Sequence, residues 1–198
     1  MDKITFNILL IGDSSAGKAS LMLKFTDNKF DEDSSSTTGI EFKDKVIQIN
    51  NKDINLHILD TAGQEKYRSI TKNFIRKGDG IIFVFDLSNK DSFDNIKDWL
   101  ITTEEINKDY QRILVGNKCD LPCDKIEKEK IEKLSQKYNM EYFETSAKED
   151  INVDLIFNKI AELILSSPKG KEIEQKFNKG NTHIKINLDK SKKKRICC

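Results

Sequence analysis

The 198-residue chain has no apolar run approaching the roughly 20 residues that would span a bilayer. It has four cysteines, with Cys119 and Cys123 near one another and Cys197 and Cys198 closing the chain. That spacing matches neither a disulfide framework nor a zinc site, so reduced thiols are expected. The opening Met-Asp-Lys is not a charged-then-apolar leader, and synthesis is expected to end in the cytosol. No internal repeat at solenoid periods occurs. Net charge is nearly absent at +1, but it is divided unevenly. From Lys169 onward ten Lys or Arg face three Asp or Glu, leaving 24 against 30 in residues 1–168. A mildly acidic body gives no reason to expect nucleic acid as a partner, whereas a basic tail suits an anionic surface.

The length suits one domain with a short extension. Apolar runs bounded by polar turns predict strands at Ile4–Ile11, Ile54–Leu59, Gly80–Phe85, Arg112–Val115 and Met140–Phe143, and Ile40–Ile49 alternates like a half-exposed strand. The turn-forming Asn50-Asn51-Lys52-Asp53 predicts an antiparallel hairpin between the second and third strands. Helical spacing predicts helices over Lys18–Asn28, Ser92–Asn107, Ile126–Tyr138 and Val153–Leu165. This alternation implies an α/β fold: six strands, mostly parallel with one antiparallel, helices on both faces, and ligands at the strands' carboxyl ends. Asn28–Gly39 and much of Ala62–Lys72 are expected to be mobile loops. After Ser166-Ser167-Pro168 the apolar spacing weakens, so residues 169–198 are expected to form a flexible basic tail attached to a 1–168 domain.

Gly12-Asp13-Ser14-Ser15-Ala16-Gly17-Lys18 follows the apolar run Ile8–Ile11 and precedes a predicted helix. Two glycines five apart let the chain curl round an anion, with backbone N–H groups inward, a helix N-terminus behind and Lys18 as a mobile cation. The eighth position of such a loop normally carries Ser or Thr, whose hydroxyl binds magnesium. Here it is Ala19.

Three more motifs follow strand ends: Asp60-Thr61-Ala62-Gly63-Gln64, Asn117-Lys118-Cys119-Asp120 and Thr145-Ser146-Ala147-Lys148. With the glycine loop, and in this order, they make residues 4–166 resemble small GTPases of the Ras superfamily. The resemblance implies a three-layer P-loop NTPase fold, the G domain. It assigns nucleotide contact to Gly12, Asp13, Ser14, Ser15, Ala16, Gly17, Lys18, Ala19 and Ser20, to Thr37, Asp60, Thr61, Ala62, Gly63 and Gln64, and to Asn117, Lys118, Asp120, Ser146, Ala147 and Lys148. Asp120 can accept two hydrogen bonds from the N1–H and N2 amino group of guanine, an edge that adenine lacks. The resemblance further implies that Asn117 holds the loop, Lys118 lies over the nucleotide and the Ala147 N–H meets guanine O6.

For catalysis, Gln64 matches the glutamine that orients the attacking water, and Lys18 stabilises charge in an in-line attack without a covalent intermediate. Thr37 and Asp60 match the residues that hold Mg²⁺, the expected cofactor. Slow intrinsic turnover is implied, with a partner protein supplying the missing positive charge. Ser34, Ser35, Ser36, Thr37, Thr38, Gly39, Ile40, Glu41 and Phe42 match the effector region. Phe42, Leu59 and Phe74 match positions where Rab proteins expose an apolar patch, with ordinary half-buried core as the alternative for Leu59 and Phe74.

The ending Lys192-Lys193-Lys194-Arg195-Ile196-Cys197-Cys198 resembles the Rab prenylation signal, and Glu65-Lys66-Tyr67-Arg68-Ser69-Ile70 is similar to Rab sequences. Two geranylgeranyl chains on Cys197 and Cys198 are implied, placing the chain on the cytoplasmic face of an endomembrane or the plasma membrane, with a cytosolic pool. The partners implied are GTP and GDP, effectors, an exchange factor, a GTPase-activating protein, a GDP-dissociation inhibitor and a prenylation escort, in a switch for vesicle trafficking. The chain departs from the Rab pattern at Ser15 for Gly, Thr38 for Ile, Leu59 for Trp and Ala19 for Ser or Thr. Loss of one hydroxyl from a cation that demands octahedral oxygen coordination predicts weakened Mg²⁺ binding, and Ser20 points about 100° away around the helix. A catalytically degraded guanine-nucleotide scaffold is therefore the second expectation. An unrelated P-loop ATPase or kinase conflicts with Asp120 and the Ser-Ala-Lys motif.

Overall fold

The computed structural model describes residues 3–31, 40–61, 68–122 and 126–178. Its elements run β1 (Ile4–Ile11), α1 (Lys18–Asp27), β2 (Ile40–Ile49), β3 (Lys52–Thr61), α2 (Arg68–Lys77), β4 (Gly80–Asp86), α3 (Lys90–Asp94), α4 (Ile96–Ile106), β5 (Gln111–Asn117), α5 (Lys128–Lys137), β6 (Glu141–Glu144) and α6 (Val153–Ser166). A further helix, α7, covers 168–178. The six strands form one sheet in the order β2-β3-β1-β4-β5-β6. Only the β2–β3 pair is antiparallel, so the predicted architecture stands.

Buried side chains on alternate strand positions feed two cores. Ile8 and Leu10 of β1 face a layer that contains Leu21, Met22 and Phe25 of α1 and Ile156, Phe157 and Ile160 of α6. The rings of Phe25 and Phe157 stack there with centroids 4.1 Å apart. Leu9 and Ile11 face the other way, toward Phe93, Ile96, Trp99 and Leu100 of α3–α4 and Ile131 and Leu134 of α5. Central β4 is buried along its whole length, as expected of a strand covered on both faces. Each such side chain contributes roughly 1.5–3 kcal/mol by leaving water.

The hairpin closes as its asparagines predict. Ile49 pairs with Lys52, and the intervening Asn50 and Asn51 sit at φ 50° and 60°, a left-handed pair that Asn tolerates.

Three segments differ from the sequence expectation. The second expected loop ends early, because α2 begins at Arg68. Ile75 is buried in the second core with Phe74 against it, and the Asn107 side chain donates to the carbonyls of Ile75 and Gly78 at the helix end. The helix expected over Ser92–Asn107 is divided at Asn95 into α3 and α4.

The third difference lies after Ser167, where the tail expected from Lys169 instead starts as α7. Ser167 is extended (φ −73°, ψ 159°), and its hydroxyl accepts from the Gly170 N–H at 3.0 Å. Pro168 takes the first helical position, so Ser-Pro stops α6 and caps α7. Ile173 and Phe177 pack on the first core. Lys169 Nζ pairs with Asp79 Oδ1 at 2.9 Å and donates to Gly78 O at 2.9 Å. Asp79 is buried, and its other oxygen accepts from the Asn7 N–H and Asn7 Nδ2. Glu174 pairs with Lys52 at the hairpin tip. Helix α7 therefore crosses the amino ends of the strands.

Lys169→Met should cost about 1–2 kcal/mol by removing a charged donor from a buried carboxylate. Hydrogen exchange should speed up over 171–178 but not in β4. Unchanged protection of 171–178 would contradict this role.

Candidate nucleotide site

All the predicted motifs that fall within the described residues lie at the carboxyl edge of the parallel strands. The loop after β1 depends on two glycines. At Gly12 (φ 153°) a Cβ would stand 1.9 Å from the Val84 carbonyl oxygen of β4. At Gly17 (φ 88°) it would stand 2.2 Å from Asn117 Nδ2. Between them Ser15 adopts φ 64°, a left-handed conformation that costs a side-chain-bearing residue about 1–2 kcal/mol. Ser14 and Ser15 are exposed, Ala16 is buried, and Ala19 and Ser20 are partly buried in the first turn of α1.

Lys18 folds back over this loop, with Nζ donating to Gly12 O at 3.0 Å and Asp13 O at 2.7 Å. It is only 5% exposed. Burial pulls its pKa below the usual lysine value, partly opposed by the charges of Asp60 and Asp13. Gly17 caps α1 without a side-chain hydrogen bond, and no acidic residue occupies the first turn. The first-turn amides and Lys18 thus favour an anion.

Asn117, 1% exposed at the end of β5, links this loop to the others. Its Nδ2 donates to Ala16 O at 2.9 Å, while its Oδ1 accepts from the Thr145 hydroxyl at 3.0 Å. Two backbone bonds, Cys119 N–H to Thr145 O and Thr145 N–H to Gly116 O, seal the same junction. Beyond it Ser146 pairs with Ile151 in an isolated bridge, and its hydroxyl accepts from the Glu149 N–H. Ala147 is buried, whereas Asp120 and Lys148 are exposed.

Lys118, in the left-handed region at φ 63°, pairs with Asp86 Oδ2 at 2.8 Å. Asp86 ends β4 directly opposite Asn117. Burial alone would raise its pKa, but Lys118 and the Ser88 hydroxyl and N–H hold it below the usual carboxylate range. Its contribution to stability is therefore present above the unfolded Asp value near pH 4 and is lost as pH falls through the lower folded value. The sequence reading missed both Asp86 and Thr145 as site residues. The rule that ligands meet strand carboxyl ends pointed to each.

Asp60 is buried at the end of β3 and close enough to Lys18 to act on its charge. Among the described residues Asp60 is the carboxylate that the resemblance assigns to magnesium, through a water, and Ala19 supplies no oxygen. The residues thus fit a magnesium ion in part, through Asp60, with one customary hydroxyl missing. Thr61 and Ile40 take part through their main chains, as paired ends of β3 and β2. Ser34, Ser35, Ser36, Thr37, Thr38, Gly39, Ala62, Gly63, Gln64, Cys197 and Cys198 lie outside the described residues.

On the outer hairpin Phe42 is 43% exposed and meets Phe74 edge-on at 5.6 Å and His57 at 5.4 Å. Glu41 is partly buried. Leu59 is 2% exposed and belongs to the second core, so the core alternative holds there.

A family model described as Ras family matches residues 7–166. Ras-related protein Rab-13 of Rattus norvegicus is 37% identical over 191 residues, 96% of this chain and 94% of that protein. Ras-related protein Rab-8A of Mus musculus is 39% identical over 191 residues, covering 95% and 92%. Ras-related protein Rab-8B of Bos taurus is 40% identical over 190 residues, with the same coverage of 95% and 92%.

Asn117→Ala strands the Ala16 carbonyl and the Thr145 hydroxyl, and urea unfolding should show a loss of about 2–3 kcal/mol. Ser15→Gly, which relieves the left-handed strain, should gain up to about 1 kcal/mol. An Asn117→Ala chain as stable as the wild type would contradict the junction.

Proposed function

The chain belongs to the Ras family of small GTPases and is Rab-like, and from that premise we propose that it is a lipid-anchored guanine-nucleotide switch in vesicle trafficking that hydrolyses GTP slowly. The observation that carries this reading is the Asn117 side chain, which bonds the phosphate loop on one side and the Thr145–Lys148 loop on the other. One buried amide holds the polyanion site and the base site in fixed relation. Exposed Asp120, three residues further on, accepts from the guanine Watson–Crick edge, and Ala147 offers its N–H to O6.

Lys18 moves from its two carbonyl acceptors to the β- and γ-phosphates, where burial makes its charge count for more. Magnesium, when bound, neutralises charge on the same phosphates. Asp60 and Thr37 would hold it, and Ala19 cannot. Gln64 orients the attacking water. Thr37 and Gly63 sense the third phosphate, so its loss releases both loops and ends effector binding at the surface that includes Phe42. An exchange factor, an activating protein, a GDP-dissociation inhibitor and a prenylation escort complete the cycle.

Helix α7 supports the membrane placement. It crosses the amino edge of the sheet, so the last described residues lie on the side opposite the nucleotide loops. Basic residues and prenylated Cys197 and Cys198 then hold a membrane surface while the nucleotide loops face away.

A degraded scaffold that binds nucleotide without useful turnover is the second reading, favoured by Ala19 and by Ser15 at φ 64°. Single-turnover GTP cleavage decides between the two: the switch predicts cleavage that Gln64→Leu abolishes, and the scaffold predicts none in either. In parallel, Ala19→Ser should lower the Mg²⁺ concentration needed to retain nucleotide by about tenfold, worth roughly 1.4 kcal/mol. Slow release with unchanged magnesium dependence would contradict the role given to Ala19.

A further inference from the structure

The phosphate loop has a second anchor, reached through the side chain of Asp13. The Asp13 carbonyl accepts from Lys18 Nζ. Its carboxylate turns away from that lysine's acceptors toward the α3–α4 junction. Oδ1 accepts from the indole Nε1–H of Trp99 at 2.9 Å, and Oδ2 accepts from Asn95 Nδ2 at 2.7 Å. Both oxygens of one carboxylate thus meet donors 82 and 86 residues away in sequence.

The two donors are four residues apart, which puts them on one face of the helix, and the Trp99 N–H closes a helical bond to Asn95 O at 3.2 Å. Trp99 is buried in the second core with Phe93, Ile96 and Leu100. The indole donor is therefore set by packed neighbours, and hydrogen bonds to a carboxylate are roughly twice as strong as neutral ones.

We propose that Trp99 and Asn95 are positioning residues for the phosphate loop, acting through the Asp13 carboxylate, and that this anchor sets how slowly bound guanine nucleotide leaves. The inference rests on the nucleotide-binding reading above and deepens it. Without the anchor, Asp13 shifts, and with it the first amides of the loop, which must meet the phosphates. The division of α3 from α4 at Asn95 has a use in this arrangement, because it turns both donors toward the loop.

The test uses the full chain loaded with a fluorescent GDP analogue in excess magnesium, and measures spontaneous release. Trp99→Phe keeps an aromatic ring in the core and deletes only the N–H donor. It should speed release by about three- to tenfold, Asp13→Ala at least as much, and Asp13→Asn, which keeps one acceptor oxygen, by an intermediate factor. The decisive readout is the double variant. Adding Trp99→Phe to Asp13→Ala should change release by less than twofold, because the acceptor is already gone.

Trp99 is the only Trp of the chain, so its emission reports on the same contact. Emission should shift when nucleotide is stripped from the wild type and stay constant in Asp13→Ala. Release from Trp99→Phe within twofold of the wild type, or fully additive acceleration in the double variant, would overturn the proposal and leave the nucleotide site standing. A wild-type chain that holds no guanine nucleotide would overturn both.

Discussion

A buried amide is worth its desolvation only when every polar atom finds a partner, and Asn117 meets that condition by joining two loops that are remote in sequence. Its donor holds the Ala16 carbonyl and its acceptor holds the Thr145 hydroxyl. The same side chain explains why Gly17 has no substitute, since a Cβ there would collide with Nδ2. The Gly12–Lys18 loop, the Thr145–Lys148 loop and the start of α1 are thereby fixed to the end of one buried strand. Asp13, bonded to Trp99 and Asn95, ties the same loop to the opposite helical layer. A loop that must offer backbone amides to a polyanion is thus held from both faces of the sheet.

On the proposed function, the sheet separates nucleotide chemistry from the membrane tether. Parallel strands point their carboxyl ends the same way, so Gly12, Asp60, Asp86, Asn117 and Thr145 gather at one edge although they span most of the sequence. The amino edge carries α7, fastened by Lys169 to Asp79 and by Glu174 to Lys52. Charge follows the same division, with an acidic body and a basic C-terminal stretch. Lys18 and the uncapped start of α1 supply positive potential at the nucleotide edge itself.

Much of this was readable from residue order, because apolar runs of strand length and helical spacing report burial directly. Every predicted strand forms, and the Asn50-Asn51 turn closes as its residues require. What escaped depends on distant partners. Helix α2 has few apolar residues, and its C-terminal end is held by Asn107 from α4. Helix α7 is polar over most of its length and is kept by Ile173 and Phe177, a single i,i+4 pair too short to stand out as a pattern, and by ion pairs of Lys169 with Asp79 and Glu174 with Lys52. At the site, the glycines, Lys18, Asp60, Asn117 and the Ser146-Ala147 turn stood out as motifs. Asp86 and the Asp13 carboxylate did not, and Thr145 stood in a motif without an assigned role, because their meaning lies in what folding brings against them. Leu59 matched an exposed position in the family pattern, yet Leu packs into the second core there.

On the proposed function, one rigid junction presents a phosphate cradle and a guanine-reading carboxylate at a fixed separation. Calorimetry of the nucleotide-stripped full chain with magnesium, titrated with GDP and then with ADP, tests it most directly. The account predicts saturable one-to-one binding of GDP and at least a hundredfold weaker binding of ADP, about 2.7 kcal/mol of discrimination. Equal affinity for the two nucleotides, or no heat with GDP, would contradict it.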